Sequence, residues 1–210
     1  MKDPKKFNPT DVMLRWEFKF IVTIFLLMLA FTEYTKSPDM VHLLCFFGMA
    51  FSTLGDLMLM NYMGVPAHVF RGKQFYAGAA SFAVAHVFYR QMFRAATPEL
   101  KFFDVGDMIT LALIIVIFMA VWNMKFKKKS RMFFVAAGLY TGIILSNLAA
   151  AINCAVACGG WYIAAMIGVV CFIISDMFLF IREAKKDTPL IRKMVWVFYP
   201  VAQILIILCI

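Results

Sequence analysis

Apolar residues along this chain come in long blocks rather than in alternation. Seven blocks can be read, at roughly 16–33, 40–61, 74–94, 107–124, 132–154, 160–182 and 193–210. Each approaches the twenty or so residues that an α-helix needs to cross a bilayer. The stretches between them, such as "TKSPD", "MGVPAHVFRGK", "RAATPELKFFDVGD", "KFKKKSR", "CGG" and "REAKKDTPLIRK", are rich in charge, Gly and Pro. This pattern predicts an all-α fold, a polytopic transmembrane bundle of seven helices. It forms one domain over residues 16–210, preceded by a polar segment, 1–15. The third block is the most polar of the seven, with Arg90 and Arg94 crowding its end.

Composition sharpens that reading. The chain is 63% hydrophobic and 16% charged, where a soluble domain is near half apolar and a quarter charged. Segment 1–15 has no apolar run followed by a cleavage site, so no cleaved signal is expected and the first helix would stay in the membrane. The net charge of +9 would suggest nucleic acid in a soluble protein, but here its placement argues otherwise. Assigning alternate connections to opposite sides puts 17 of the 21 Lys and Arg on one side and 4 on the other. Basic residues collect on the cytoplasmic face, where anionic lipids attract them. The expected localisation is therefore a multi-pass integral membrane protein with a cytoplasmic amino terminus and the carboxyl terminus outside. Its expected partners are membrane lipids, with no nucleic acid. The five cysteines lie in or beside apolar blocks and read as small hydrophobes. Cys154 and Cys158, four apart, lack the second ligand pair that a metal site needs, and no metal or other cofactor is expected.

Against this background the polar residues inside the blocks stand out. Asp56 lies in "FSTLGDLMLM" and Asp176 in "GVVCFIISDMFLF". An ionised side chain at the centre of a membrane helix costs about 2.5–3.5 kcal/mol on insertion scales, so such residues are functional candidates by default. Counted from the predicted block ends, both acids lie roughly 8–9 Å below the same, basic boundary. Tyr199 reaches a similar depth from the same side, with Gln203 one turn further. His86 and Tyr89 share a face of the third block, and Tyr140 and Asn147 share a face of the fifth. "GMAFSTLGDLML" (48–59) also aligns without gaps to "GVVCFIISDMFL" (168–179), with Gly, Asp and Leu at common offsets. Gly48 and Gly168 would let their helices approach a neighbour closely, and Gly138 and Gly142 offer a further small-residue face.

Two carboxylates at one depth, if adjacent, cannot both ionise easily, so one keeps a proton while the other can accept one. That division is what acid/base hydrolysis requires. The catalytic candidates are Asp56 and Asp176. His86, Tyr89, Asn147, Tyr199 and Gln203 are candidates to orient substrate or water. There is no GxSxG elbow and no HExxH helix.

The same residues resemble the lysoplasmalogenase family, the YhhN-like membrane proteins. The resemblance rests on Gly55-Asp56, then Phe75, Gly78, Phe82, His86 and Tyr89, then Phe172 with Ser175-Asp176, and finally Tyr199, Ala202 and Gln203. It spans residues 48–206 in order. It implies hydrolysis of the vinyl ether of a lysoplasmalogen, a lysophospholipid substrate, to a fatty aldehyde and a glycerophospho-ethanolamine or -choline. The two aspartates would be the catalytic pair. Basic rim residues such as Arg71, Lys73, Arg182 or Arg192 are candidates for the phosphate. Two departures are visible: the family is usually described with eight helices, and Pro200 stands where the family has a second tyrosine. A rival reading from another class is a proton-coupled small transporter or lipid carrier, because intramembrane Asp and His also build proton relays.

Overall fold

The computed structural model describes residues 16–60, 73–99, 131–184 and 187–210, together with the single positions 69, 107, 109, 112 and 113. Its described residues form six long helices: α1 (Trp16–Lys36), α2 (Met40–Leu59), α3 (Gln74–Ala96), α4 (Arg131–Cys158), α5 (Trp161–Ala184) and α6 (Pro189–Leu208). The fold is an all-helical bundle, as the apolar blocks predict. Five helices, all but α3, are long and apolar enough to cross a membrane, which makes this a multi-pass membrane protein. The predicted fourth block, 107–124, and the segment 1–15 lie outside the described residues, apart from a few single positions in the former.

Local chemistry sets the helix ends. Asp39 caps α2 by accepting a hydrogen bond from the His42 backbone N–H at 2.9 Å, and Thr188 caps α6 by accepting from Ile191 N–H at 3.3 Å. Such caps satisfy amides that have no partner within the helix. Pro189 follows Thr188 in the first turn of α6, where its missing N–H costs nothing. This cap-and-proline pair starts α6 four residues before the predicted boundary at 193. Pro200 lies inside α6, which nevertheless runs unbroken to Leu208. Gly159 and Gly160 take positive φ values of 62° and 54° and reverse the chain between α4 and α5, a conformation glycine adopts without strain.

The glycines of the two related segments sit where helices touch. A Cβ on Gly48 would enter the Tyr89 ring, and one on Gly168 would lie 2.9 Å from the Ala202 carbonyl oxygen. So α2 meets α3, and α5 meets α6, backbone against side chain or backbone. No described atom lies within 4 Å of a Cβ placed on Gly138 or Gly142. The outer faces carry exposed Ile21, Phe25, Met28, Val135, Leu139 and Met177, the surface a lipid-facing bundle presents.

Helix directions follow from side-chain pairs. Phe75 stacks on Phe133 near the starts of α3 and α4, with ring centroids 6.3 Å apart. Thr97, just past α3, lies beside Cys154 in the last turns of α4. These two helices are therefore parallel. α2 runs against α3, and α4 against α5. One end of the bundle thus gathers the start of α1, the end of α2, the starts of α3 and α4, the end of α5 and the start of α6.

Candidate functional site

Both aspartates line one cavity at that end of the bundle. Its walls come from α1 (Lys19), α2 (Asp56, Leu59), α3 (Phe82), α5 (Ser175, Asp176, Leu179, Arg182) and α6 (Val195, Trp196, Tyr199). The space open to water is about 60 Å³, enough for several molecules, since one water needs roughly 10–15 Å³ by this measure. Asp56 sits in the last turn of α2, because the helix ends at Leu59 rather than near 61. Asp176 is eight residues before the end of α5 at Ala184. The two carboxyls reach one cavity from helices that enter it to different depths.

Each acid has its own hydroxyl donor. The Thr23 hydroxyl of α1 donates to Asp56 Oδ2 at 2.9 Å. The Tyr140 hydroxyl of α4 donates to Asp176 Oδ2. The buried Tyr199 hydroxyl lies beside the Asp56 carboxyl and the Gln203 amide without a hydrogen bond of good geometry to either. His86 is fully buried. Its Nε2 faces Asp176 Oδ2 at 3.9 Å, beyond hydrogen-bond range, and its Nδ1 lies 3.1 Å from the Asn147 amide nitrogen. With that amide N–H donating to Nδ1, the neutral ring carries its proton on Nε2 and points it toward Asp176.

Aromatic rings close the inner end of the cavity. Phe82, Phe172 and Tyr199 meet edge to face, with centroids 5.5–6.0 Å apart, and the His86 ring packs on Phe172 at 4.5 Å. Such contacts add about 0.5–1.5 kcal/mol each beyond area burial, and here they seal the polar pocket from the interior. Beyond this layer Tyr89 donates to Gln203 Oε1 at 2.7 Å.

The seven residues singled out in the sequence therefore separate. Asp56, Asp176 and Tyr199 line the cavity. His86 stands behind Asp176, and Asn147 holds His86. Tyr89 and Gln203 bond to each other one layer deeper and are not among the residues that line the cavity. The shared face of Tyr140 and Asn147 is real: one contacts Asp176 and the other His86. Sequence reasoning missed Thr23, Lys19 and Trp196. Lys19 counts among the basic amino-terminal residues, yet it lies four residues before Thr23 on the face that buries Leu26 and Ala30, a helical spacing that marks it as inward-facing.

A second, almost wholly apolar groove of similar size meets the first cavity at Asp176. Phe75, Tyr76, Ala79, Phe133, Ala136, Ala137, Tyr140 and Phe180 line it, and Phe82, Leu179 and Asp176 belong to both spaces. A small polar chamber with two acids thus meets an apolar groove at Asp176. The chain belongs to the YhhN family, whose model matches residues 14–210. No curated protein and no solved structure matches it significantly.

Proposed function

We propose that this protein is a membrane-embedded lipid hydrolase that cleaves the vinyl ether of a lysoplasmalogen, with Asp56 and Asp176 as its acid/base pair. The observation that carries the reading is the meeting of the two-acid cavity and the apolar groove at Asp176. An amphiphile seated there has its alkenyl chain in the groove and its ether beside both carboxyls. In this reading Asp56 is the group that gives the first proton. Asp176, which accepts the Tyr140 hydroxyl and faces the His86 ring, is the group that receives one.

The chemistry then closes without other reactants than water. Asp56 transfers its proton to the outer vinyl carbon, leaving an oxocarbenium ion that the Asp176 carboxylate stabilises. Water adds to the carbon bearing the ether oxygen and gives a proton to Asp176. The resulting hemiacetal collapses: Asp176 returns its proton to the glycerol oxygen as the C–O bond breaks. The hemiacetal O–H proton passes to Asp56, and the aldehyde leaves. Positioned proton transfer of this kind contributes about 10²–10⁴-fold to rate. His86, held by Asn147, orients the Asp176 carboxylate, and Tyr199 flanks Asp56. In this reading the cavity opens toward the cytoplasmic leaflet, because the basic connections cluster at that end.

The test is aldehyde release by the purified protein in detergent, from 1-alkenyl-lysophosphatidylethanolamine and from its saturated-ether analogue. The expected result is aldehyde from the vinyl ether alone, lost in both Asp56→Asn and Asp176→Asn. Asp176→Ala regains part of its activity with added formate, whereas Asp56→Ala does not. Unimpaired turnover in either asparagine variant would refute the pair.

A further inference from the structure

Two basic side chains line the cavity alongside the two acids. Lys19 and Arg182 line the same space as the two acids, and both are partly buried. Lys19 Nζ sits 5.2 Å from the centre of the Trp196 ring, a cation–π contact that fixes the ammonium against the wall. The neighbouring Arg192 is differently engaged. Its Nε and Nη2 donate to the two oxygens of Asp187 at 2.7 and 2.5 Å, a two-point ion pair that takes up its charge. Lys19 and Arg182 thus stand in the same walls as Asp56 and Asp176.

Position agrees with charge. Arg182 lies six residues beyond Asp176 on α5, about 9 Å along the axis toward the basic end of the bundle. Lys19 lies four residues from Thr23, the donor to Asp56, about 6 Å toward the same end. Glycerol places a lysophospholipid phosphate five bonds from the ether oxygen, on the order of 6 Å at ordinary bond lengths. A lipid whose ether faces the two acids carries its phosphate to the level of these cations.

We infer that Lys19 and Arg182, with Lys19 braced on Trp196, form an anion subsite that holds the phosphate of the lipid head group. The inference rests on the proposed function for the placement of the ether, but the subsite can be tested without turnover. Arg192, which is exposed and paired with Asp187, is not part of it. Lys19, which lines the cavity from the start of α1, is. The arginine supplies directed N–H donors and the lysine a point charge. Phosphate from a free anion and phosphate from a lipid share this chemistry, so the experiment separates the two.

The full-length protein in detergent, wild type and with Lys19→Gln, Arg182→Gln and the charge-keeping Lys19→Arg and Arg182→Lys, would be assayed on two substrates. One is 1-alkenyl-lysophosphatidylethanolamine, the other 1-alkenylglycerol, which lacks the phosphate. Each neutral variant should lower the ratio of kcat/KM for the first to kcat/KM for the second by about tenfold, as expected for loss of a charge-assisted hydrogen bond. The change should fall in KM, with partial recovery in the charge-keeping variants. A ratio unchanged in both neutral variants would overturn the subsite. In parallel, the saturated-ether lysophospholipid and its phosphate-free glycerol ether would be titrated by tryptophan fluorescence. Preference for the phosphate-bearing lipid, weakened in both neutral variants, supports the subsite even if wild type releases no aldehyde, an outcome that would remove the proposed reaction alone. Equal binding of the two ethers by wild type overturns the subsite. Inorganic phosphate supplies the last arm: competition at millimolar concentration or below assigns the site to free phosphate and overturns the lipid assignment, and failure to compete supports it.

Discussion

Single hydroxyls hold the two acids, and their removal is the sharpest residue-scale prediction. Thr23→Val keeps the shape of the side chain and deletes the 2.9 Å hydrogen bond to Asp56. Tyr140→Phe does the same to Asp176. Such a hydrogen bond is worth about 0.5–1.5 kcal/mol net, and up to about 3 where a partner is ionised, so each variant should lose roughly several-fold or more in kcat for aldehyde release while keeping its helical circular-dichroism spectrum. Asn147→Leu acts one step further away. It frees the His86 ring rather than a carboxyl, so its loss should be smaller than that of Tyr140→Phe, and the reverse order would place His86 rather than Tyr140 as the main support of Asp176. At this scale the sequence was informative where a polar residue interrupts an apolar block: Asp56, Asp176 and His86 are conspicuous there. Thr23 is not, because threonine inside a membrane helix commonly satisfies its own hydroxyl on the preceding turn, as Thr141 does on Ala137 O at 2.8 Å. Lys19 is not, because a lysine near the start of a block reads as a rim charge.

Helix contacts and caps govern the element scale. Gly168→Ala would press a methyl group to 2.9 Å from the Ala202 carbonyl oxygen, and the obstacle is backbone that cannot rotate away. It should destabilise the protein by roughly 1–3 kcal/mol, read as a lower thermal midpoint in detergent. Gly142→Ala, which meets no described atom within 4 Å, should be neutral or slightly stabilising through helix propensity. The connection from α5 to α6 is the place where acid should act. The Arg192 guanidinium holds the Asp187 carboxyl below the usual carboxylate range. A carboxyl depressed in the folded state lends stability above its unfolded value, near 4, and loses it as pH falls through the lower folded value. Asp187→Asn should therefore lower the thermal midpoint slightly at pH 7 and converge with wild type once the pH falls below the lowered folded value; the pair is 46%/44% exposed, so the difference is small. Element positions were readable from block length alone, since the span length of a bilayer fixes them. What block length does not contain is the neighbour of each helix. The pairings of α1 with Asp56 and of α4 with Asp176 come from packing.

At the scale of the whole molecule, the parallel arrangement of α3 and α4 decides the parity of the chain. α3 ends at the far end of the bundle from the two acids, and α4 begins at the near end. The predicted block 107–124 falls between Ala96 and Arg131, outside the described residues apart from a few single positions. The start of α1 and the end of α6 lie at opposite ends. The described basic residues Lys19, Lys73, Arg182 and Arg192 stand at the end that holds the cavity. If basic residues collect on the cytoplasmic face here as they do generally, that end is the cytoplasmic one. A fluorescent reporter that matures only in the cytoplasm should be bright on the amino terminus and dark on the carboxyl terminus, with a periplasmic or lumenal enzyme reporter giving the opposite pair. Both termini in the cytoplasm would contradict the parallel arrangement of α3 and α4, and a bright carboxyl terminus with a dark amino terminus would put the two-acid cavity, and the lipid proposed to bind there, in the outer leaflet.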